Sequence, residues 1–259
     1  MQQHFPTKGR AAMTPRFRCA AAPCLNEPVS ETNLPRWWLL QSGPGEPAFN
    51  MALDEALLEA AARTGQPVLR FYGWTEEAAT FGYSQRFAEV ERLTPLRPLV
   101  RRATGGGLVP HDADWTYSLI FPPQHYWHAL KAVESYRRMH EWLRAAFARL
   151  QTVTELSPCR VEESPGQCFV GAERFDLLWQ GRKIAGAAQR RNRDGLLIQG
   201  SVQPPTGVAK ADWQQAMCDV AVQQWRVAWS ALELETPLRA RTEALAREKY
   251  SQASHNQRR

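Results

Sequence analysis

No apolar run in this chain approaches the ~20 residues that span a bilayer as a helix. The stretch Ala20–Pro23 is too short for the apolar region of a secretory signal, and no cleavage pattern follows it. The expectation is a soluble, cytoplasmic protein with no membrane partner. Cysteines are few: Cys19, Cys24, Cys159, Cys168 and Cys218. Their odd number and irregular spacing argue against a disulfide framework, and no Cys-x-x-Cys pair suggests zinc. His125 and His128 form a His-x-x-His, but no further ligands stand at a metal-site spacing, so no metal is expected. There is no internal repeat. Hydrophobic residues at 44% and charged residues at 22% match ordinary globular usage, which excludes a collagen-like, coiled-coil or disordered chain.

Charge of one sign is only mildly in excess, at a formal net +6. Half of that excess sits in residues 1–36, where Lys8, Arg10, Arg16, Arg18 and Arg36 stand against Glu27 and Glu31. A modest positive field suits an acidic protein partner or nucleic acid, and charge alone does not choose. Residues 1–34 mix Pro, Ala and Arg without apolar periodicity, so a disordered extension is expected there, with Met13 as an alternative start. Order is expected from Trp37–Leu40, and residues 35–259 suffice for one domain with a substantial core.

Along that domain the pattern predicts alternating helices and strands. Phe49, Leu53, Leu57 and Ala60 recur at helical spacing over Ala48–Thr64, and Gly65 and Pro67 end the run. Strands are expected at Val68–Tyr72, Ala79–Tyr83, Leu99–Arg102 and Trp115–Phe121. Trp127–Leu150 reads as one long helix. Phe175–Trp179, Lys183–Gln189 and Leu196–Val202 read as strands joined at Gln180-Gly181 and Arg193-Asp194-Gly195. Helices are expected at Asp212–Leu232 and Pro237–Tyr250, with Thr236 as N-cap. The expected class is α/β of the α+β kind: mainly antiparallel, hairpin-connected mixed sheets flanked by helices, without alternating βαβ units.

Two segments carry chemistry. The first is Arg101-Arg102-Ala103-Thr104-Gly105-Gly106-Gly107, followed by His111 and Asp112. Glycines in a row let a backbone approach a ligand closely, and successive N–H groups can cradle an anion. The adjacent arginines add fixed donors for phosphate or carboxylate. A solvated turn is the plain alternative. The second is Gly181-Arg182-Lys183-Ile184-Ala185-Gly186-Ala187-Ala188-Gln189. Gly186, Ala187 and Ala188 leave room beside the strand for a slender ligand, and Lys183 could polarise a carbonyl or steady a thiolate. A lysine in a turn is otherwise usually just solvated.

Together these segments resemble the biotin/lipoate ligase and octanoyltransferase superfamily. Asn50-Met51-Ala52-Leu53-Asp54-Glu55 resembles its opening helix, and Arg70-Phe71-Tyr72-Gly73-Trp74 and Phe81-Gly82-Tyr83-Ser84-Gln85 resemble its next strands. Lys249-Tyr250-Ser251 resembles its terminal signature. The resemblance spans about Trp37 to Arg259. It implies a class II synthetase-like biotinyl/lipoyl transferase fold over 35–259. Arg101, Arg102, Gly105, Gly106, Gly107, His111, Gly186 and Ala187 would form the substrate site, and Lys183 would be catalytic.

Members of the superfamily differ in chemistry. Ligases activate a free acid with ATP and Mg. Cysteine-dependent octanoyltransferases and a related lipoyl amidotransferase need neither, and carry the acyl group on a thiol shortly before the lysine segment. Cys168, fifteen residues before Lys183, stands in that position, whereas Cys159 and Cys218 do not. Gly166-Gln167-Cys168-Phe169 matches the nucleophile loop only loosely. A histidine common in the strand after the lysine is replaced by Gln199-Gly200-Ser201, and Pro110 before His111 is unusual. Arg190-Arg191 leans toward the amidotransferase. No separate C-terminal domain of the kind many ligases carry is expected, which fits a transferase, although some ligases supply that domain on another chain.

The implied reaction moves an octanoyl or lipoyl group from acyl carrier protein or a lipoyl-carrier protein. The acceptor is a lysine of a dehydrogenase E2 lipoyl domain or of a glycine-cleavage H-type protein. The acyl chain would lie in a tunnel beside Gly105–Gly107 and Gly186. The alternatives are an ATP-dependent lipoate–protein ligase and an inactive relative that binds lipoyl carriers or nucleic acid. The intact Lys183 and glycine loop argue against the second.

Overall fold

Strand β1 (Arg36–Gly45) runs straight into helix α1 (Pro47–Thr64), which opens on a proline whose missing N–H costs the first turn nothing. A computed structural model describes Met1, residues 34–162 and residues 171–258, and these elements lie in the unit Leu34–Arg259. Most of the expected extension over 1–34 is outside the described residues. After α1 come β2 (Val68–Trp74), β3 (Ala78–Phe81), α2 (Phe87–Leu93), β4 (Leu99–Arg101), β5 (Val109–His111) and β6 (Trp115–Phe121). Helices α3 (Tyr126–Ala129) and α4 (Ala132–Arg149) lead to β7 (Glu155–Leu156), β8 (Val161–Glu162), β9 (Gly171–Ala172) and β10 (Leu177–Trp179). Strands β11 (Arg182–Asn192) and β12 (Gly195–Val202) precede α5 (Lys210–Trp225), β13 (Ala228–Ala231), α6 (Thr236–Leu245) and α7 (Ala253–Asn256).

The main sheet has the order β13-β1-β2-β6-β12-β11-β10-β7, and β4-β3-β5 form a smaller sheet. Every pairing in the main sheet from β2 across to β7 is antiparallel, as expected. At the other edge the pairs β13/β1 and β1/β2 are parallel, so β1-α1-β2 is a βαβ unit that the hairpin reading did not include.

Alternation along the strands divides the core in two. Leu69, Phe71, Leu119, Phe121, Leu196 and Ile198 point to the face that also holds Leu143 and Phe147 of α4 and Trp213 and Met217 of α5. Val68, Ile120 and Leu197 point to the other face and meet Leu53, Leu57, Leu58 and Ala61 of α1. Trp37 anchors the first face, stacked on Trp225 with ring centroids 5.7 Å apart and edge-on to Phe121 at 5.5 Å.

Three helix expectations change. The long helix over Trp127–Leu150 is two: Leu130 and Lys131 are extended, with ψ of 148° and 149°, and α4 restarts beyond them. The helix over Asp212–Leu232 stops at Trp225, where Arg226 turns left-handed at φ 55°. The chain then forms the edge strand β13, and Trp229 donates its indole N–H to the Cys218 carbonyl. In α6, Glu235 rather than Thr236 is the N-cap, and the last turn of the expected helix, Ala246–Tyr250, is a π-helical turn.

Candidate functional site

The period of two that sets the core also sets the ground beneath the site. Arg70 of β2, Ser118 of β6 and Gln199 of β12 share the α1 side of the sheet with Val68, Ile120 and Leu197. All three converge on Asp54 of α1. Asp54 pairs with Arg70 at 2.6 Å and accepts Ser118 Oγ at 2.7 Å, Gln199 Nε2 at 2.8 Å and Tyr72 Oη at 3.2 Å. One turn earlier on α1, the Asn50 backbone oxygen shares with Asp54 the Arg70 Nη1, at 2.9 Å, and its side-chain oxygen takes Nη2 at 2.7 Å, while Nε donates to Ser42 Oγ at 2.9 Å. Asn50 and Asp54 thus hold Arg70 from one helix face. Gln199 passes the network on: its Oε1 accepts Thr104 Oγ1, at the start of the glycine loop, at 2.7 Å.

Both arginines of that loop are buried and work on the protein's own carbonyls. Arg102 donates to Gly105 O at 2.8 Å, Gly107 O at 2.9 Å and Thr80 Oγ1 at 3.0 Å, bracing the loop from within. Arg101 donates to Tyr83 O, Gln85 O and the carbonyls of His255, Asn256 and Arg258, tying the C-terminal turn to the site. His111 lies flat on Trp74, with centroids 3.8 Å apart, between Thr80 Oγ1 at 2.8 Å and Asp114 Oδ2 at 3.0 Å. A pattern in which Thr80 donates to Nε2 and Nδ1–H donates to Asp114 Oδ2 satisfies both ring nitrogens, while Asp114 Oδ1 is buried without a partner. Arg101, Arg102 and His111, expected to form the substrate site, are thus bonded to the loop and to the segments that flank it.

Gly82 is required by close approach and Gly106 by its left-handed backbone at φ 85°, whereas a Cβ on Gly105 would meet nothing. A Cβ on Gly82 would lie 1.9 Å from the Gly106 carbonyl oxygen, and a Cβ on Gly106 would in turn lie 3.4 Å from the methyl of Ala188 in β11. The glycine loop and the lysine strand are therefore neighbours. Beside them an open cleft of about 460 Å³ is lined by Tyr83, Ser84, Ala103, Gly105, Arg190 and Arg191, among others. The cleft adjoins Gly105 but not Gly186. Arg190 and Arg258 approach the Tyr83 ring at 5.9 and 4.2 Å.

Lys183 reaches its position through a bulge. Leu177 of β10 faces Ala185 while Leu178 faces Lys183, so Ile184 is an extra residue in β11. Strict alternation would group Lys183 with Ala185 and Ala187; the bulge turns it toward the side of Gly186. A Cβ on Gly186 would lie 3.0 Å from Lys183 Cε and 3.4 Å from Asp176 Oδ1. The room left by Gly186 is thus used by Lys183 itself. Lys183 Nζ pairs with Asp176 Oδ2 at 2.7 Å, with side-chain exposures of 8% and 0%.

Asp176 was missed by sequence reasoning, although a signal was present. Trp179 pairs with Arg182 around the two-residue turn Gln180-Gly181, both at positive φ. That hairpin, expected from the sequence, brings the residue before Leu177 close to Ala185 and Gly186. Tyr136, one turn into α4, donates to Asp176 Oδ1 and had no local signal. Ala187 offers its backbone N–H to Tyr136 Oη at 3.4 Å. Cys168 lies outside the described residues; the strands on either side of that stretch pair Val161 with Ala172 and Glu162 with Gly171. His125 and His128 of the His-x-x-His pack separately: His125 stacks on Phe121 at 4.9 Å, and His128 Nε2 bonds Asn192 O at 2.9 Å.

The comparisons with known proteins fit this arrangement. Residues 46–206 match the lipoyl protein ligase A/B catalytic domain. The octanoyltransferase LipM of Macrococcus caseolyticus is 34% identical over 179 residues, covering 64% of this chain and 65% of the relative. That of Bacillus subtilis is 34% identical over 179 residues, covering 64% of each. The matched region is therefore less than two thirds of these relatives' length. Among solved structures, protein Ta0514 from T. acidophilum with bound lipoic acid superposes with a TM-score of 0.71 at 19% identity, over 86% of this chain and 100% of the other. A lipoate-protein ligase A bound with ATP gives 0.71 at 18% identity, over 86% and 98%. At these identities the structural likeness speaks for the fold, which is the expected one. The chain belongs to the lipoyl protein ligase A/B catalytic domain family.

Proposed function

We propose that the chain is an acyltransferase of protein lipoylation. It moves an octanoyl or lipoyl group from a carrier thioester, on acyl carrier protein or a lipoyl-carrier protein, to a lysine of an E2 lipoyl domain or of a glycine-cleavage H-type protein. The observation that carries the reading is the meeting of the two motif segments. A side chain on Gly106 would meet Ala188, and Lys183 stands on the same strand as Ala188, paired with Asp176. The 34% identity to octanoyltransferases supports this chemistry over others hosted by the fold.

In this reading the Cys168 thiolate attacks the acyl carbonyl. A new C–S bond forms, the carrier's C–S bond breaks, and the carrier leaves as a thiolate that takes a proton from solvent. One thioester replaces another, so little free energy is lost. The acceptor lysine, as a free amine, then attacks the Cys168 thioester. An amide bond forms, the Cys168 C–S bond breaks, the thiolate returns, and the amine proton passes to solvent. The amide is the more stable product, so neither ATP nor metal is needed. Lys183 donates an N–H to the oxygen that becomes negative in each step. Arg101, Arg102 and His111 hold the glycine loop in shape around the head group.

The test is intact mass after incubation with octanoyl-acyl carrier protein, with and without ATP. The expected result is a gain of one octanoyl group, removed by hydroxylamine, absent in Cys168→Ser and indifferent to ATP. Modification of an acceptor domain only with ATP and free octanoate would replace this reading by a ligase.

A further inference from the structure

Strand β11 carries more than Lys183 on the face that meets the glycine loop. Its register sets Gly186 opposite Ser201, Ala188 opposite Gln199 and Arg190 opposite Leu197, so Gly186, Ala188 and Arg190 share one face. Arg191 points to the other face, where it donates to the carbonyls of Trp127 and His128 and to Ser135 Oγ. Arg190 is engaged differently. Its hydrogen bond is a long one, 3.4 Å from Nη1 to Ala103 O. It stands with Arg258 around the ring of Tyr83, at the cleft that Tyr83, Ser84, Gly105 and Arg190 line.

The C-terminal turn brings Arg258 to this place. Arg101 takes the Arg258 carbonyl at 2.6 Å and the Asn256 carbonyl at 3.0 Å, which fixes the backbone and lays the Arg258 guanidinium 4.2 Å over the Tyr83 ring. One of its nitrogens, Nη2, is buried without a hydrogen-bond partner. Among the described residues no carboxylate pairs with Arg190 or Arg258. Glu55 lies within reach of the Arg190 charge, but its oxygens are taken by Lys249 Nζ at 2.7 and 2.6 Å and by Tyr250 Oη at 2.6 Å. A guanidinium withdrawn from water with a donor unmet is costly until an anion meets it. Two guanidiniums around one ring at a cleft suit phosphate, whose several oxygens accept from both forks.

Resting on the transferase reading, we propose that the cleft holds the phosphate of the donor's prosthetic arm, with Arg190 and Arg258 as its ligands, and that the donor is therefore acyl carrier protein. Acyl carrier protein presents its thioester at the end of a phosphopantetheine arm. A lipoyl-carrier protein bears its acyl group on a lysine and offers no phosphate. The spacing along β11 fits such an arm. Lys183 Nζ lies 3.1 Å from where a Cβ on Gly186 would be, so the thioester end belongs near Gly186. From Gly186 to Arg190 the strand advances about 13 Å, at ~3.3 Å per residue. The arm has about thirteen bonds from sulfur to phosphorus and spans about 15 Å when extended, on the ~3.3–3.6 Å that three backbone bonds cover. Between the two ends the strand offers Ala188 and the loop offers Gly105 and Gly106, which keep large side chains out of the path.

The experiment measures the binding of phosphopantetheine, pantetheine and AMP to the full chain by calorimetry, in the wild type and in Arg190→Gln and Arg258→Gln. Octanoyl transfer from octanoyl-acyl carrier protein to a lipoyl domain is measured alongside. The wild type should bind the phosphorylated arm about tenfold more tightly than the unphosphorylated one, the scale of one hydrogen bond to a charged group. In each variant that preference should fall most of the way to one, and KM for octanoyl-acyl carrier protein should rise several-fold with kcat within twofold. The tie from Arg101 to the Arg258 carbonyl is a backbone contact, so Arg258→Gln should keep its melting temperature. Should a variant not fold, the two arms compared on the wild type still decide. Equal binding of the two arms by the wild type, or binding of neither, overturns the proposal, as does a preference that survives in both variants. Tighter binding of AMP than of phosphopantetheine, lost in the same variants, overturns it in favour of a nucleotide. A wild type that binds the phosphorylated arm but transfers no octanoyl group removes the transferase reading and leaves the phosphate site standing.

Discussion

Asp54 with Arg70 and Asp176 with Lys183 are both pairs of a cation with a fully buried carboxylate, yet they are finished differently. Around Asp54, Ser118, Tyr72, Gln199 and Asn50 fill the remaining positions on the acid and the guanidinium, and both partners are 0% exposed. Arg70 is a rigid planar fork with fixed donors, all directed inward. Around Asp176 the acid is equally enclosed, but the cation is a lysine with 8% of its side chain exposed. Two polar atoms nearby, Tyr117 Oη and His140 Nε2, have no hydrogen-bond partner. An over-determined pair holds a fold in one arrangement. A pair with a point charge on a flexible stem at its outer edge can give part of its hydrogen bonding to a reacting group.

That contrast can be broken most forcefully at Asp54. Removing one member of a buried pair leaves the other uncompensated, so Asp54→Ala should cost about 3–5 kcal/mol in urea unfolding. Because Gln199 and Thr104 lose their common anchor, the glycine loop should loosen as well. A loss below about 1 kcal/mol would show that the Asp54 network is ornamental. At the other pole, Lys183→Ala should reduce transfer by about 10²–10³ with little change in melting temperature, and Lys183→Arg should not restore it. Destabilisation comparable to that of Asp54→Ala, with transfer intact, would reverse the roles of the two pairs.

The smallest effect sharpens the scaffold side. Glu55, next to Asp54, is bonded by Lys249 Nζ at 2.6 Å and Tyr250 Oη at 2.6 Å. Burial works to raise its pKa, but those hydrogen bonds and the charges of Lys249 and Arg190 outweigh it and hold it below the ordinary 4.5. A carboxylate depressed in the folded state contributes stability that is complete above 4.5 and is lost as pH falls through the lower, folded value. The wild type should therefore lose melting temperature more steeply below pH 4.5 than Glu55→Gln. Parallel acid profiles would mean that the Lys249-Tyr250 turn does not bind Glu55 in solution.

Much of the scaffold was legible because it obeys simple periods. The helical spacing of Leu53 and Leu57 and the alternation around Val68, Ile120 and Leu197 depend on residues close in sequence, and the core repeats them unchanged. The misread helices show where that logic ends. Nothing between Leu130 and Lys131 is a glycine or proline, yet both residues are extended. Arg226 takes φ 55° without the glycine that usually marks such a stop, and the residues after it find better use as a partner for β1. In each case tertiary packing overrides a weak local preference.

The site divides the same way. The sequence by itself determined the class of fold, the glycine loop, the turn at Gln180-Gly181 and the presence of one lysine among small residues, because each is a property of a short segment. Only the tertiary structure decided which groups face one another. Arg101 and Arg102 stand side by side in one dimension, and only in three does each find its own set of backbone carbonyls, Arg101 in the C-terminal turn and at Tyr83 and Gln85, Arg102 in the glycine loop. The direction of Lys183 depends on one inserted residue, Ile184, that flips the strand's alternation. Asp176, with which it pairs, arrives from the far arm of a hairpin, and the tyrosine that bonds Asp176 comes from a helix 40 residues earlier, contacts that are set by how the sheet and α4 pack rather than by any local pattern.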